Sequence, residues 1–436
     1  MAGLLFLAAG GCNPGSTPVA KALHFLRMNQ VVEPVAVSVG DHTIVDFPGD
    51  WPQFYYLEEA PAFRVPEMSP FIVSFIHHAL SHINNETAAV LGLSQKEVEQ
   101  ARVMRRRAVD FMRLFASGPE DADAGTFGFW PRVASDPATQ TALQQFVLNW
   151  LEGPVLRGSR APANLPFYPT PMAIPADADV TSTTYAVLLD DALLDGGTGA
   201  PVTLAPLLAG RRDTGDIPRR LDPDWLPPAS GAFFTWLTYG DAPGNPTPND
   251  IDLVVNANAL YALARFGATD TPGFEEAVAL INHAVQLGLH RTRHQDISDY
   301  YPDNFALHYC VSRAYAEGPA PGLGPAVAIL ADDLEGSALM RPDGAAYWDK
   351  GDPHLNTAFA VLTLLNAGRD TPLIDRAVAY LVTEQNGLVG SWQEGVFFIG
   401  QTDSGQRANW VSESFSTAIA LEALCRYELD RAPLQP

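Results

Sequence analysis

Apolar residues recur at helical spacing along most of the chain, in two alternating styles. In the first style the run is apolar or small on nearly every side. Six segments share it: "EMSPFIVSFIHHALSHI" from Glu67, "DADVTSTTYAVLLDDAL" from Asp177, "NDIDLVVNANALYALARFG" from Asn249, "PDNFALHYCVSRAYAEG" from Pro302, "GDPHLNTAFAVLTLLNAG" from Gly351 and "SESFSTAIALEALCRYE" from Ser412. In the second style one face is charged, as in "AKALHFLRMN" from Ala20, "EVEQARVMRRRAVDFMRLFA" from Glu97, "TPGFEEAVALINHAVQLG" from Thr271, "GPAVAILADDLEG" from Gly324 and "TPLIDRAVAYLVTEQNG" from Thr371. Helices apolar all round belong inside, and helices with one charged face belong outside. Strict alternation of the two predicts an all-α fold with an inner and an outer ring, an (α/α)6 toroid spanning residues 20–436. The outer partner of the second Asp-led repeat falls either on "ATQTALQQFVLNWLEG" from Ala138 or near Leu204.

Between these helices lie Pro- and Gly-punctuated pieces rich in aromatics: residues 46–56, 125–131, 231–240, 345–352 and 390–400. Placed at one rim of a toroid, they form the mouth of a central cavity, and loops are where function concentrates. Candidate wall residues are Phe233, Phe234, Trp236, Tyr301, Trp348, Trp392 and Phe398.

Composition narrows the partners. The 436 residues carry 27 basic and 50 acidic side chains, a net charge of -23, which excludes nucleic acid and an anionic membrane surface as electrostatic partners. Cys12, Cys310 and Cys425 have neither disulfide-framework nor metal-type spacing. Residues 1–19 read as a leader: "LLFLAAGGCNPGSTP" resembles a lipoprotein signal with Cys12 as the lipidated residue, yet the first basic residue is only Lys21. Export with an anchor at Cys12 and residence in the cytoplasm, with or without peripheral membrane association, both stay open, as does the oligomeric state.

The most informative chemistry is "PADADVTSTTY", residues 175–185, where two aspartates precede a helical run. Asp177 and Asp179 have two readings. They serve as caps, like Asp250, Asp252, Asp303, Asp352 and Ser412 at the other inner-helix starts, accepting bonds from orphan N–H groups. Alternatively they form a proton source, since burial and a neighbouring like charge both raise a carboxyl pKa.

Two motifs carry a family resemblance. Gln385, Gly390 and Trp392, ahead of the last inner helix, are similar to the Gln…Gly-x-Trp motif repeated in squalene-hopene cyclases, and the repeats from Asp179 onward resemble the β-domain of class II terpene cyclases. The acid motif there is Asp-x-Asp-Asp-Thr. Asp177, Asp179 and Thr181 match it, and Val180 stands at the last aspartate. The resemblance implies that Asp179, at the middle aspartate, protonates an alkene or epoxide, with Asp177 positioning it and Thr181 supporting the helix start. It also implies that Asn256, where hopene cyclases carry a histidine, orients the acid. The implied substrate is a hydrophobic isoprenoid, cyclised or isomerised without a redox cofactor. Magnesium enters only if that substrate bears a diphosphate.

Other constellations are weaker. Asp190, Asp191 and Asp195 read as a solvated helix end; the pairs His78–His82 and His290–His294 have i,i+4 spacing without a third ligand, so no metal site is expected. His308 reads as structural, and Arg211–Arg212 and Arg219–Arg220 sit among compensating aspartates. Two further functions remain open: carbohydrate chemistry on the same fold, with Asp179 paired to Asp252 or Glu394, and a binding toroid without catalysis.

Overall fold

The computed structural model describes residues 16–39, 42–117, 124–129, 176–190, 200–237, 249–401 and 406–432. The possible lipid anchor Cys12, the segment from Ala138, Asp191 and Asp195 lie outside them. In chain order the longer helices are α1 (Pro18–Asn29), α2 (Pro70–Ser81), α3 (Gln95–Met112), α4 (Ala178–Asp190), α5 (Ala200–Ala209), α6 (Leu253–Arg265), α7 (Phe274–Gln286), α8 (Ala306–Ala316), α9 (Gly324–Ser337), α10 (Pro353–Asn366), α11 (Pro372–Glu384) and α12 (Glu413–Arg431). The fold is mostly helical. α1 starts at Pro18, behind a Thr17 cap, so the segment read as a leader overlaps the first helix.

The even-numbered helices are the all-round apolar ones, and they are buried along nearly their whole length; α6 buries every residue from Leu253 to Ala264. The odd-numbered helices bury one stripe, such as Val98, Ala101, Met104 and Ala108 of α3. Each even-numbered helix packs against the next even-numbered one, and α12 returns to pack against α2. α5, near Leu204, packs between α4 and α6. One hydrophobic cluster runs from Val19 to Cys425.

The even-numbered helices also run in one direction. Phe71, Val180 and Val255, from the first turns of α2, α4 and α6, line one cavity. At the far ends Arg265 of α6 pairs with Asp190 of α4, and Arg426 of α12 donates to Asn366 of α10 at 3.1 Å.

The helical expectation holds for most of the chain, and small antiparallel sheets add to it, among them β1 (Val35–Val39) with β2 (His42–Asp46), and a four-stranded sheet ordered β4 (Val65–Glu67), β3 (Gln53–Leu57), β6 (Arg407–Val411), β5 (Val396–Gln401). Phe54 faces Val411 and Tyr55 faces Trp410, so the sheet ties the first repeat to the last. Aromatic and β-branched residues suit such a half-buried ribbon.

The loops are stitched by a recurring device. The indole N–H groups of Trp51, Trp348 and Trp392 donate to the carbonyls of Leu26, Leu334 and Leu381, near the ends of α1, α9 and α11, at 2.8, 3.0 and 2.8 Å. A side chain on the following even-numbered helix then accepts the loop's backbone N–H. Thr181 does so for Phe127, Asn256 for Phe233, Thr357 for Trp348 and Thr417 for Trp392. The Gln385–Gly390–Trp392 motif adds one more tie, because the Gln385 amide donates to both Pro18 and Gly390 carbonyls at 2.9 Å.

Gly390 has φ of 89°, and a Cβ there would sit 2.5 Å from the Lys21 carbonyl oxygen. Gly390→Ala is therefore expected to cost about 2–4 kcal/mol of stability. Trp392→Phe, which leaves the Leu381 carbonyl one bond short, is expected to cost about 1–2 kcal/mol. Urea denaturation of both variants checks the order.

Candidate active site

Asp177 and Asp179 enter the first turn of α4 because a short backbone ribbon holds them there. Ala178 N–H donates to Thr235 O at 2.8 Å, and Leu237 N–H to Ala176 O at 2.9 Å. This ribbon sets Trp236 beside the pair, with Asp177 and Trp236 bridged through their backbones. Both carboxyls are buried, 3% and 4% exposed.

The two differ in their partners. Asp177 Oδ1 caps the helix, accepting from Val180 N–H at 2.6 Å, while Oδ2 is buried without a hydrogen-bond partner. Asp179 Oδ1 accepts from Asn258 Nδ2 at 2.7 Å, and its Oδ2 accepts from the Tyr301 hydroxyl. Behind Asn258, Arg313 donates to the amide oxygen at 2.7 Å. The Arg313 guanidinium is buried over the rings of Tyr261 and Phe75, 4.5 and 4.7 Å from their centroids.

Electrostatics follow from these contacts. Burial, then the charge of Asp179, pushes the Asp177 carboxyl well above the usual range. Burial raises Asp179 only to about 6, because the Tyr301 and Asn258 bonds and the Arg313 charge oppose it. Of the two, Asp177 therefore holds its proton the more strongly, and Asp179 is the one that ionises first.

Phe71, Phe129, Val180, Val255, Thr235, Trp236, Tyr300 and Phe398 complete the wall around the pair. The free space between these residues amounts to about 270 Å³ including its open mouth, but it is narrow, with about 10 Å³ of room for water, the size of one molecule. Among the described residues, no lysine or arginine lines it.

Several sequence-based assignments change position. Trp236 and Phe398 line the space, and Tyr301 bonds the acid. Phe233, Phe234, Trp348 and Trp392 are not among its lining residues; they are fully buried, and the two tryptophans serve the indole stitch. Asn256 does not orient Asp179. Its amide is spent on the Phe233 backbone and on Asp252 O, and Asn258, on another face of α6, takes the orienting place. The Thr181 hydroxyl bonds the Phe127 backbone, tying the loop to the helix start.

Phe71, Phe129, Tyr300, Asn258 and Arg313 were not expected; the inward position in the first turn of each inner helix is the signal that marks Phe71. Asp252 is the α6 cap, with all its hydrogen bonds internal: Val254 and Val255 N–H on one oxygen, Ser298 and Tyr300 on the other. Glu394 is paired with Arg64. Arg219 and Arg220 are engaged by Asp213, Asp222, Asp250 and Asp299.

No protein-family model and no curated protein matches the sequence. Solved structures do. The type II terpene cyclase MstE from Scytonema superposes with a TM-score of 0.52 at 13% identity, over 94% of this chain and 97% of that one. An MstE variant in complex with its substrate geranylgeranyl dihydroxybenzoate gives 0.53 at 13% identity, with the same coverage. A protein from Actinoplanes gives 0.51 at 16% identity, over 94% of this chain and 98% of that one. The fold is class II terpene cyclase-like. In that class II-like frame, the acid pair, its donors and the aromatic wall all stand at the ends where the inner helices begin.

Raised carboxyl pKa values couple stability to pH with a definite sign. A folded state that keeps a proton which the unfolded chain gives up near 3.8 loses stability as the pH rises through that window. Asp179→Asn, which keeps the Asn258 and Tyr301 contacts without charge, is expected to match the parent near pH 4 and to exceed it by roughly 1–3 kcal/mol at pH 8. Denaturant titrations at the two pH values measure the difference.

Proposed function

We propose that residues 20–436 form one (α/α)6 toroid and that the protein carries out an acid-initiated cyclisation or isomerisation of an isoprenoid, with the Asp177–Asp179 pair as its proton source. The observation that carries this reading is the Asp177 Oδ2 atom, buried, unpartnered and set in an aromatic-lined space. A carboxylic acid in that setting keeps its proton at neutral pH, and the lack of a competing acceptor leaves the proton for an alkene.

The division of labour follows from the hydrogen bonds. Family correspondence puts the transferable proton on Asp179; the contacts favour Asp177, because both Asp179 oxygens are already occupied by donors. Tyr301, Asn258 and Arg313 hold Asp179 as the anion, and its charge adds to the burial that chiefly keeps Asp177 protonated. Proton transfer from Asp177 to a double bond leaves a carbocation. The faces of Trp236, Phe398 and Phe71 stabilise it by roughly 2 kcal/mol per desolvated contact. Loss of a proton from the cation completes a reaction that leaves the substrate's composition unchanged.

Two features describe the substrate. With Phe71, Phe129, Val180, Trp236, Val255 and Phe398 around the acid, the portion of the substrate beside it is apolar. The space is too narrow for a polyprenyl chain as it stands, so binding requires Trp236, Tyr300 and Phe398 to part. No redox cofactor is invoked, and magnesium has a role only for a diphosphate substrate. Support for an isoprenoid comes also from the MstE complex, whose substrate bears a geranylgeranyl group. The carbohydrate reading loses its second carboxylate, since Asp252 and Glu394 are engaged elsewhere.

Product analysis with squalene, farnesyl diphosphate, geranylgeranyl diphosphate and a geranylgeranylated dihydroxybenzoate, with and without magnesium, tests the proposal. A cyclic or double-bond-shifted product is expected. Asp177→Asn is expected to lower its rate by about a hundred- to ten-thousandfold and Phe398→Leu by about thirtyfold. No product from any substrate, or full activity in Asp177→Asn, overturns the assignment.

A further inference from the structure

A second cluster of titratable side chains lies toward the other end of the inner helices, and the proposed reaction does not use it. We propose that His78, His82 and Glu422 form a binding site for a divalent transition-metal ion, zinc by ligand type, that clasps α2 to α12. The sequence shows the two histidines at i,i+4 without a third ligand. Glu422 is that ligand, brought to them by the contact between the last inner helix and the first.

Geometry carries the assignment. The nearest ligand atoms of the three residues all lie within 4.8 Å of one another. A tetrahedral zinc ion with bonds of about 2.0–2.1 Å places its ligands roughly 3.3 Å apart, so side-chain rotation closes the set. The imidazoles stand edge-on to each other, 5.2 Å between centroids, and the Nε2 atoms of both are buried without a hydrogen bond. His78 Nε2 stands 3.6 Å from Glu422 Oε1 and 3.3 Å from Glu317 Oε2, which puts a fourth oxygen in reach.

The surroundings suit a metal site. The Tyr309 hydroxyl donates to Glu422, 2.9 Å from each carboxylate oxygen, and so fixes the carboxylate's orientation from behind. Arg426, the cation beside the cluster, is engaged by Glu317 and Asn366. His78 and His82 occupy the last turn and C-cap of α2, and Glu317 is the C-cap of α8. Helix C-termini carry partial negative charge, which favours a cation there. A simple ion pair of protonated His78 with the two glutamates accounts for one imidazole and leaves the buried Nε2 of His82 without a role; a metal uses both.

The consequence is mechanical. α2 and α12 are the seam at which the ring of inner helices closes, so an ion bound to both strengthens that seam. This inference is independent of the acid-pair reading, and activity assays do not enter its test.

The full chain, stripped with a chelator and dialysed, is titrated with zinc chloride by calorimetry and melted with and without zinc. Cobalt(II) chloride serves as the spectroscopic probe. One equivalent of zinc, a raised Tm and the intense visible bands of four-coordinate cobalt are expected. His82→Ala and Glu422→Gln should weaken zinc binding at least about a hundredfold, and Tyr309→Phe by roughly ten- to a hundredfold. His283→Ala, on the exposed face of α7, should leave it unchanged. Absence of stoichiometric binding, a cobalt spectrum like that of the aqueous ion, or zinc affinity unaltered by His82→Ala and Glu422→Gln overturns the proposal.

Discussion

A carboxyl group removed from water must either keep its proton or be held by donors, and the site at the start of α4 does one of each. Asp179 has its donors: Tyr301 on one oxygen, Asn258 on the other, and Arg313 behind the amide. Asp177 has a single backbone bond and one bare oxygen. The arrangement of the surrounding elements serves this asymmetry. The ribbon through Ala178 and Thr235 fixes the pair, α6 delivers Asn258 and the segment before α8 delivers Tyr301, α8 sets Arg313 behind the amide, and the aromatic wall keeps water to about one molecule's room.

The repeat explains how one site is made from a scaffold that is used several times over. At four loops a threonine or asparagine on the inner helix accepts the loop's backbone N–H. This stitch fixes where each loop crosses the helix ends and leaves the inward positions free to vary. The helix that begins at Ala178 puts two carboxylates at that end with a cavity in front of them. Asp252, two residues past Asp250 in the next repeat, spends the same kind of side chain on the α6 cap with one oxygen and on Ser298 and Tyr300 with the other. Identical chemistry at the sequence level thus becomes structure in one repeat and candidate chemistry in another.

Much of this was legible in the sequence, and the limits are physical. Alternation of all-round and one-sided apolar helices reports burial directly, so the buried and the one-sided helices could be read from periodicity, whereas position alone left Asp177 and Asp179 open between a cap and a proton source. Residues 46–56 and 390–400 were legible as aromatic loops, but the strands in and beside them were not, because pairing between the chain's first and last repeats leaves no local trace. Asn256 was chosen over Asn258 for a related reason. Both lie in the same helical turn and a half, and which one faces inward depends on the stitch to Phe233. Glu422 was invisible beside His78 and His82, since it is the packing of α12 against α2 that brings them together.

Infrared spectroscopy of the carboxyl region is the most direct measurement of the central claim that the pair holds one proton at neutral pH and that Asp177 carries it. The account predicts, at pH 7, a carbonyl band of a protonated and weakly hydrogen-bonded acid that disappears in Asp177→Asn and persists in Asp179→Asn. A band lost only in Asp179→Asn, or no band attributable to either residue, would contradict it.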